Sequence, residues 1–237
     1  MNNVSQKQEK IYFGLDISQK TIEIFALKGE KGVSFGKILN NQKSLNDFFD
    51  EVPFPSKTIA VALETGTHSA WISRLLESRG YEVIVAHARD LAFIYKGDKK
   101  SDRIDAEKLA RMTRADKKLL HPIKVIDKKR QEDLLAIKAR DLLVKQRTGI
   151  VNAIRGFLRS MGIDDSTYSH EVINDIYSEL PKEIQENLRG LFSSLTAIDN
   201  NIKEYDKRIR KIAKDYPETK ILQQIKGVGP LIALSFV

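Results

Sequence analysis

Four carboxylates, Asp16, Glu64, Asp102 and Asp105, stand where a metal-dependent enzyme acting on nucleic acid needs them, each at the end of an apolar run or the start of a helical one. Asp16 closes Ile11-Tyr12-Phe13-Gly14-Leu15 and Glu64 closes Thr58-Ile59-Ala60-Val61-Ala62-Leu63. Two neighbouring parallel strands of this kind deliver both acids to one sheet edge. Asp102 and Asp105 lie three residues apart at the start of an expected helix, so they share a face that can point at the same edge. Carboxylates brought together this way repel one another unless a cation sits among them, and hard oxygen donors favour magnesium or manganese. Each acid also has a plain structural explanation. Asp16 suits a turn after a strand, Glu64 a solvated strand end with Thr67 capping the next helix, and Asp102 and Asp105 a cap and the helix dipole, worth about 1 kcal/mol. The coincidence of all four favours the metal.

Basic residues surround the acids. Lys96, Lys99, Lys100 and Arg103 lead into and line the Asp102 helix, where they can hold phosphates, although a solvated loop has the same composition. Further on, Arg140, Lys145, Arg147, Arg155 and Arg159 are expected to track a nucleic-acid backbone, or simply to form the charged face of a long helix. The Gly227-Val228-Gly229 turn either offers backbone N–H groups to a phosphate or just joins two helices.

Positioning these groups requires an ordered sheet. Strands are expected over residues 11–17, 21–27 and 32–38, then a short helix at 44–51, a buried strand at 57–63, a helix at 68–78, a strand at 81–85 and a helix from 101 to about 114. This order, an antiparallel meander followed by parallel crossovers, resembles that of the ribonuclease-H-like α/β fold, whose acids sit on the first strand, the fourth strand and a late helix. From residue 128 to 161 one long helix is expected, with Leu135, Leu142, Leu143, Ile150, Ile154 and Leu158 on a stripe. A second begins near Pro181, where Ile184, Leu188, Leu191, Leu195, Ile198, Ile202, Tyr205, Ile209 and Ile212 alternate by four and three in the manner of a coiled coil. The two stripes are buried by an antiparallel hairpin or by a dimer. Residues 225–237 read as a glycine hairpin and the start of a further helix that ends on an apolar run, as in a fragment.

The 237 residues suffice for a core and an appendage, and 40 Lys and Arg against 32 Asp and Glu leave a charge of +8, suited to a polyanionic partner. No cysteine is present, which excludes disulfides, thiolate zinc sites and cysteine nucleophiles. The four histidines lack metal-ligand spacing. No apolar stretch approaches the roughly 18 residues of a membrane span, so a cytoplasmic location is expected.

Tyr12-Phe13-Gly14-Leu15-Asp16-Ile17-Ser18-Gln19-Lys20, Glu64-Thr65-Gly66-Thr67 and Lys100-Ser101-Asp102-Arg103-Ile104-Asp105-Ala106 resemble the three acidic motifs of the DEDD transposases of bacterial insertion sequences. The likeness runs from about residue 11 to 163 and resumes at 222. It implies a RuvC-like first domain (11–125), coiled-coil helices (127–216) and the opening of a helix-hairpin-helix second domain (220–237). It further implies that Asp16, Glu64, Asp102 and Asp105 ligate two magnesium ions, with manganese possible in their place. A serine in the second domain would attack DNA, a structured guide RNA would choose the sites, and oligomers, dimers or tetramers, would build composite centres. Ser235 lies too early to take the serine's role, so the nucleophile is not expected among these residues. Ala86-His87 departs from the Asn-Pro common in that family. Rival readings are a RuvC-like, structure-selective nuclease using water and a silent remnant that binds nucleic acid. An ATPase of the same fold ranks last, since no second glycine-rich phosphate loop is present.

Overall fold

The computed structural model describes residues 9–87, 101–163 and 173–237. The chain divides into two compact units, Met1–Ile126 and Asp127–Val237. Residues 127–216, expected as coiled-coil helices, and residues 220–237, expected to open the second transposase domain, fall within one unit.

The first unit is built on a five-stranded sheet. Its strands are β1 (Ile11–Ile17), β2 (Thr21–Lys28), β3 (Lys31–Leu39), β4 (Ile59–Glu64) and β5 (Glu82–Ala86), in spatial order β3-β2-β1-β4-β5. β1 to β3 form an antiparallel meander, while β4 and β5 run parallel to β1. This topology agrees with a ribonuclease-H-like domain. The central strands are apolar on both faces because both are covered. Phe13, Leu15, Ile24, Val61 and Leu63 pack with Leu45 and Phe49 of α1 (Gln42–Asp50) and with Ile72 and Leu76 of α2 (Ser69–Ser78). Ala60, Ala62, Phe25 and Leu27 pack on the opposite face with Leu109, Ala106 and Ala110 of α3 (Asp102–Asp116). Each large side chain so buried contributes roughly 1.5–3 kcal/mol. The edge strand β3 alternates between exposed and half-buried residues, and its register with β2 shifts between Ile24 and Phe25.

The helix after β4 differs from expectation at its start. Thr67 does not cap it. His68 holds the N-cap position without a side-chain capping bond, its Nδ1 accepting instead from Trp71 Nε1 at 3.2 Å, and the Ser69 hydroxyl closes the loop, donating to the Gly66 carbonyl at 2.8 Å.

The second unit contains α4 (Lys128–Ser160) and α5 (Lys182–Ala213), followed by α6 (Pro217–Leu222) and α7 (Pro230–Ser235). Asp127 caps α4 by accepting from the Arg130 amide at 2.9 Å, and Gly162 ends it at a φ of 75°, where a side chain would be strained. α4 and α5 are antiparallel. Val151, Ile154 and Leu158 pack against Leu188, Phe192 and Leu195 at one end, and Ala136 and Ile137 against Ile209, Ile212 and Ala213 at the other. Between the two apolar ends lie Arg147–Asp199 at 2.5 Å and Arg140–Asp206 at 2.6 Å. The apolar stripe expected on α5 is buried or half-buried throughout. On α4 the expectation needs correction, because Leu135 and Leu142 are exposed. The inward face of that helix instead runs through Ile137, Arg140, Arg147, Val151, Ile154 and Leu158, so arginines occupy places where leucines were sought.

Candidate acidic site

Asp16 is flanked by acids on both sides. Across the antiparallel pair it faces Glu23 of β2. Across the parallel pair, one step beyond Leu15 and Leu63, it neighbours Glu64 at the end of β4. Strand alternation sends Phe13 and Leu15 into the core beneath α1 and α2, which leaves Tyr12, Gly14 and Asp16 on the α3 side. Ala60, Ala62 and Glu64 share that side by the same phase.

Gly14 brings the helix close. A Cβ built there would lie 1.9 Å from the Ala106 carbonyl oxygen and 2.8 Å from the Ala110 amide nitrogen, so only glycine lets α3 rest on β1. The first turn of α3 then carries Asp102 and Asp105 to the strand ends. Capping does not explain these acids, because Ser101 is the N-cap and accepts from the Ile104 amide at 3.3 Å. Asp105 is 8% exposed, and its Oδ1 is buried with no hydrogen-bond partner. An orphaned buried carboxylate oxygen carries a desolvation cost of about 1–3 kcal/mol, which a cation at that oxygen offsets.

Asp16 and Glu64 line one cavity of about 520 Å³ with Ser18, Thr65 and His68. The β1–β2 turn on its rim is fixed by Ser18, whose Oγ donates to the Thr21 carbonyl at 2.8 Å, and by Asn40, whose Nδ2 donates to the Ser18 carbonyl at 2.7 Å. On the other rim the Thr65 amide donates to Ala86 at 2.9 Å.

Asp102 is engaged elsewhere. Its Oδ2 accepts from Lys37 Nζ at 2.5 Å, and Lys37 is the cross-strand partner of Glu23. The hydrogen bond to Asp102, then the field of that carboxylate and, more weakly, of Glu23 and Asp16, hold the Lys37 ammonium above its ordinary pKa. Among the described residues no three Asp, Glu or His side chains close on one metal-sized point. Glu23 and Lys37 were not anticipated from sequence. Glu23 had a signal, as the lone charge within Thr21-Ile22-Glu23-Ile24-Phe25, and it is 7% exposed with Ser34 donating to it at 3.2 Å.

The basic residues divide. Lys96, Lys99 and Lys100 lie outside the described residues, while Arg103 is exposed on the first turn of α3. Arg140 and Arg147, expected to track a nucleic-acid backbone, direct their guanidinium groups at Asp206 and Asp199 of α5, with side chains only 20% and 17% exposed. Arg155 is half-buried, whereas Lys145 and Arg159 are exposed. Gly227 adopts a φ of 89° and Gly229 precedes the short α7, an interhelical turn whose glycines meet open space.

The family model described as transposase, of the DEDD type named for the element IS110, matches residues 13–163. The chain is 28% identical over 229 residues to a Sinorhizobium fredii protein named as transposase y4pF/y4sB, covering 94% of this chain and 57% of that one. It is 31% identical over 154 residues to the transposase for insertion sequence element IS1111A of Coxiella burnetii, covering 60% of this chain and 40% of that one. To the transposase for insertion sequence element IS1533 of Leptospira borgpetersenii it is 24% identical over 241 residues, covering 96% and 68%. The chain thus spans about half the length of the first two relatives. No helix among the described residues is long and apolar enough to cross a membrane. The matched segment contains all four acids, α3 and all of the sheet except the first two residues of β1, and the chain belongs to the DEDD transposase family of bacterial insertion sequences.

Proposed function

We propose that the first unit is the divalent-cation-dependent, RuvC-like catalytic domain of an insertion-sequence transposase, acting on DNA strands during transposition. The observation that carries this reading is the placement of Asp16 and Glu64 side by side at the ends of adjacent strands, with the helix that bears Asp102 and Asp105 pressed onto the same sheet face at Gly14. The donor chemistry fits magnesium or manganese, all four groups being hard oxygen donors, and the unpartnered Asp105 Oδ1 is an acceptor already removed from water. Asp16, Glu64, Asp102 and Asp105 would hold one or two such ions. When bound, these ions supply neutralisation of the charge that builds on the phosphate oxygens. Asp16 and Glu64 line the cavity in which a phosphate would be held, and Ser69 fixes the loop that carries Thr65 and His68. Arg103, and Lys99 and Lys100 before it, would hold the flanking DNA backbone. Lys145 and Arg159 on α4 would do so in the second unit.

The antiparallel α4–α5 pair fits a coiled coil between catalytic domains, with assembly as a homo-oligomer. Guide-RNA selection of the DNA and a serine nucleophile elsewhere in the protein complete the reading. Ser235, whose Oγ donates to the Leu231 carbonyl at 2.8 Å within a short helix, is not given that role. The test is nicking of duplex and branched DNA carrying an element end. Magnesium-dependent nicking that Asp105→Asn removes supports the proposal. Tight DNA or RNA binding with no nicking in any divalent cation favours a nucleic-acid-binding role alone.

A further inference from the structure

The acidic row already contains a cation of its own, the ammonium of Lys37. β3 is the sheet's edge strand, and Lys37 reaches from it across Glu23 to Asp102 of α3 at 2.5 Å. Its nearest acids, Asp102, Glu23 and Asp16, are drawn from three different elements. The pair is half exposed on both sides, 51% for Lys37 and 50% for Asp102, so the ammonium can swing into water without breaking the core. Asp105, one helical turn on, keeps a buried oxygen without a partner. The cluster is therefore satisfied at Asp102 and unsatisfied at Asp105. We propose that Lys37 is a tethered counter-ion that occupies Asp102 in the cation-free protein and must be displaced for the four acids to bind a divalent ion together. This inference rests on the cation-dependent reading of the site given above. Lys37 is a positioning residue, since it acts on the site through Asp102.

Two consequences follow from the electrostatics. Removing the ammonium takes a positive charge from beside the binding point, so Mn²⁺ should bind Lys37→Gln about tenfold more tightly than the native chain. Without divalent ions, Lys37→Gln should melt below the native chain, because the acids then repel one another uncompensated, and added Mn²⁺ should raise its melting temperature by more.

The experiment is calorimetric titration of Mn²⁺ into the native chain, Lys37→Gln and Lys37→Arg, with Tm recorded with and without the ion. Tighter binding by Lys37→Gln, with Lys37→Arg near native, supports the inference. Equal affinity in native and Lys37→Gln proteins overturns it while leaving the cation site standing. Lys37→Arg behaving like Lys37→Gln overturns it too, since charge would not be the cause. Absence of Mn²⁺ binding in all three, with native folding, overturns both the inference and the reading beneath it.

Discussion

Gly14→Ala is the sharpest perturbation of the geometry that assembles the site. The added methyl would lie 1.9 Å from a carbonyl oxygen and 2.8 Å from an amide nitrogen of α3, both backbone atoms that no rotamer change can move aside. The helix must lift from the sheet. Lifting it loosens Ala106, Leu109 and Ala110, all at most 1% exposed, in their contacts with Phe25, Leu27, Ala60 and Ala62. Overpacking of this kind costs about 1–3 kcal/mol, and the absence of any flexible neighbour places it near 3. For a unit of this size that lowers the melting temperature by about 12 °C. Trp71 is the chain's single tryptophan and packs against the first unit's core, so its fluorescence reports this unit alone. The control is Gly66→Ala, where no atom lies within 4 Å and the backbone is ordinary, with an expected change within about 0.5 kcal/mol. A Gly14→Ala protein that unfolds within about 1 kcal/mol of native would refute the close approach and, with it, the placement of Asp102 and Asp105.

Other expectations concern charges outside the acidic row. Asp199→Ala should destabilise the second unit by about 1–3 kcal/mol, because it removes the carboxylate that faces the half-buried Arg147, and Arg147→Leu with Asp199→Leu should recover most of that in urea melts followed by circular dichroism. Native stability in Asp199→Ala alone would show the pair to be idle. Glu82 is held below its ordinary pKa of 4.5 by hydrogen bonds from Lys10, then Lys117. Its contribution is therefore present above that value and lost as pH falls through the depressed one. Glu82→Gln should cost about 0.5 kcal/mol at neutral pH and progressively less as the pH is lowered below 4.5, as measured by melts across that range.

The sheet was legible because β1 and β4 are apolar runs that end in an acid, and the turn glycines Gly29 and Gly80 sit at positive φ where the sequence marks a break. The acids were legible for the same reason, since a strand end and a helix start can be read from local pattern. What escaped depends on register. Lys37 meets Asp102 only because the β2–β3 pairing slips at Ile24 and Phe25, which no alternation reveals. On α4 the charge of Arg140 and Arg147 masks the inward face, while the apolar Leu135 and Leu142 lie on the exposed side. Those arginines lie inward because α5 offers Asp206 and Asp199 opposite, a fact about two helices and not about either sequence alone.

The central claim is that Asp16, Glu64, Asp102 and Asp105 form one divalent-cation site. Its most direct test is Mn²⁺ binding, by electron paramagnetic resonance, in the native chain against Asp16→Asn, Glu64→Gln and Asp105→Asn, each checked by Trp71 fluorescence for an intact first unit. Saturable Mn²⁺ binding by the native chain, weakened at least tenfold in each folded variant, is the expected result. Binding unchanged in all three, or absent from the native chain, would contradict it.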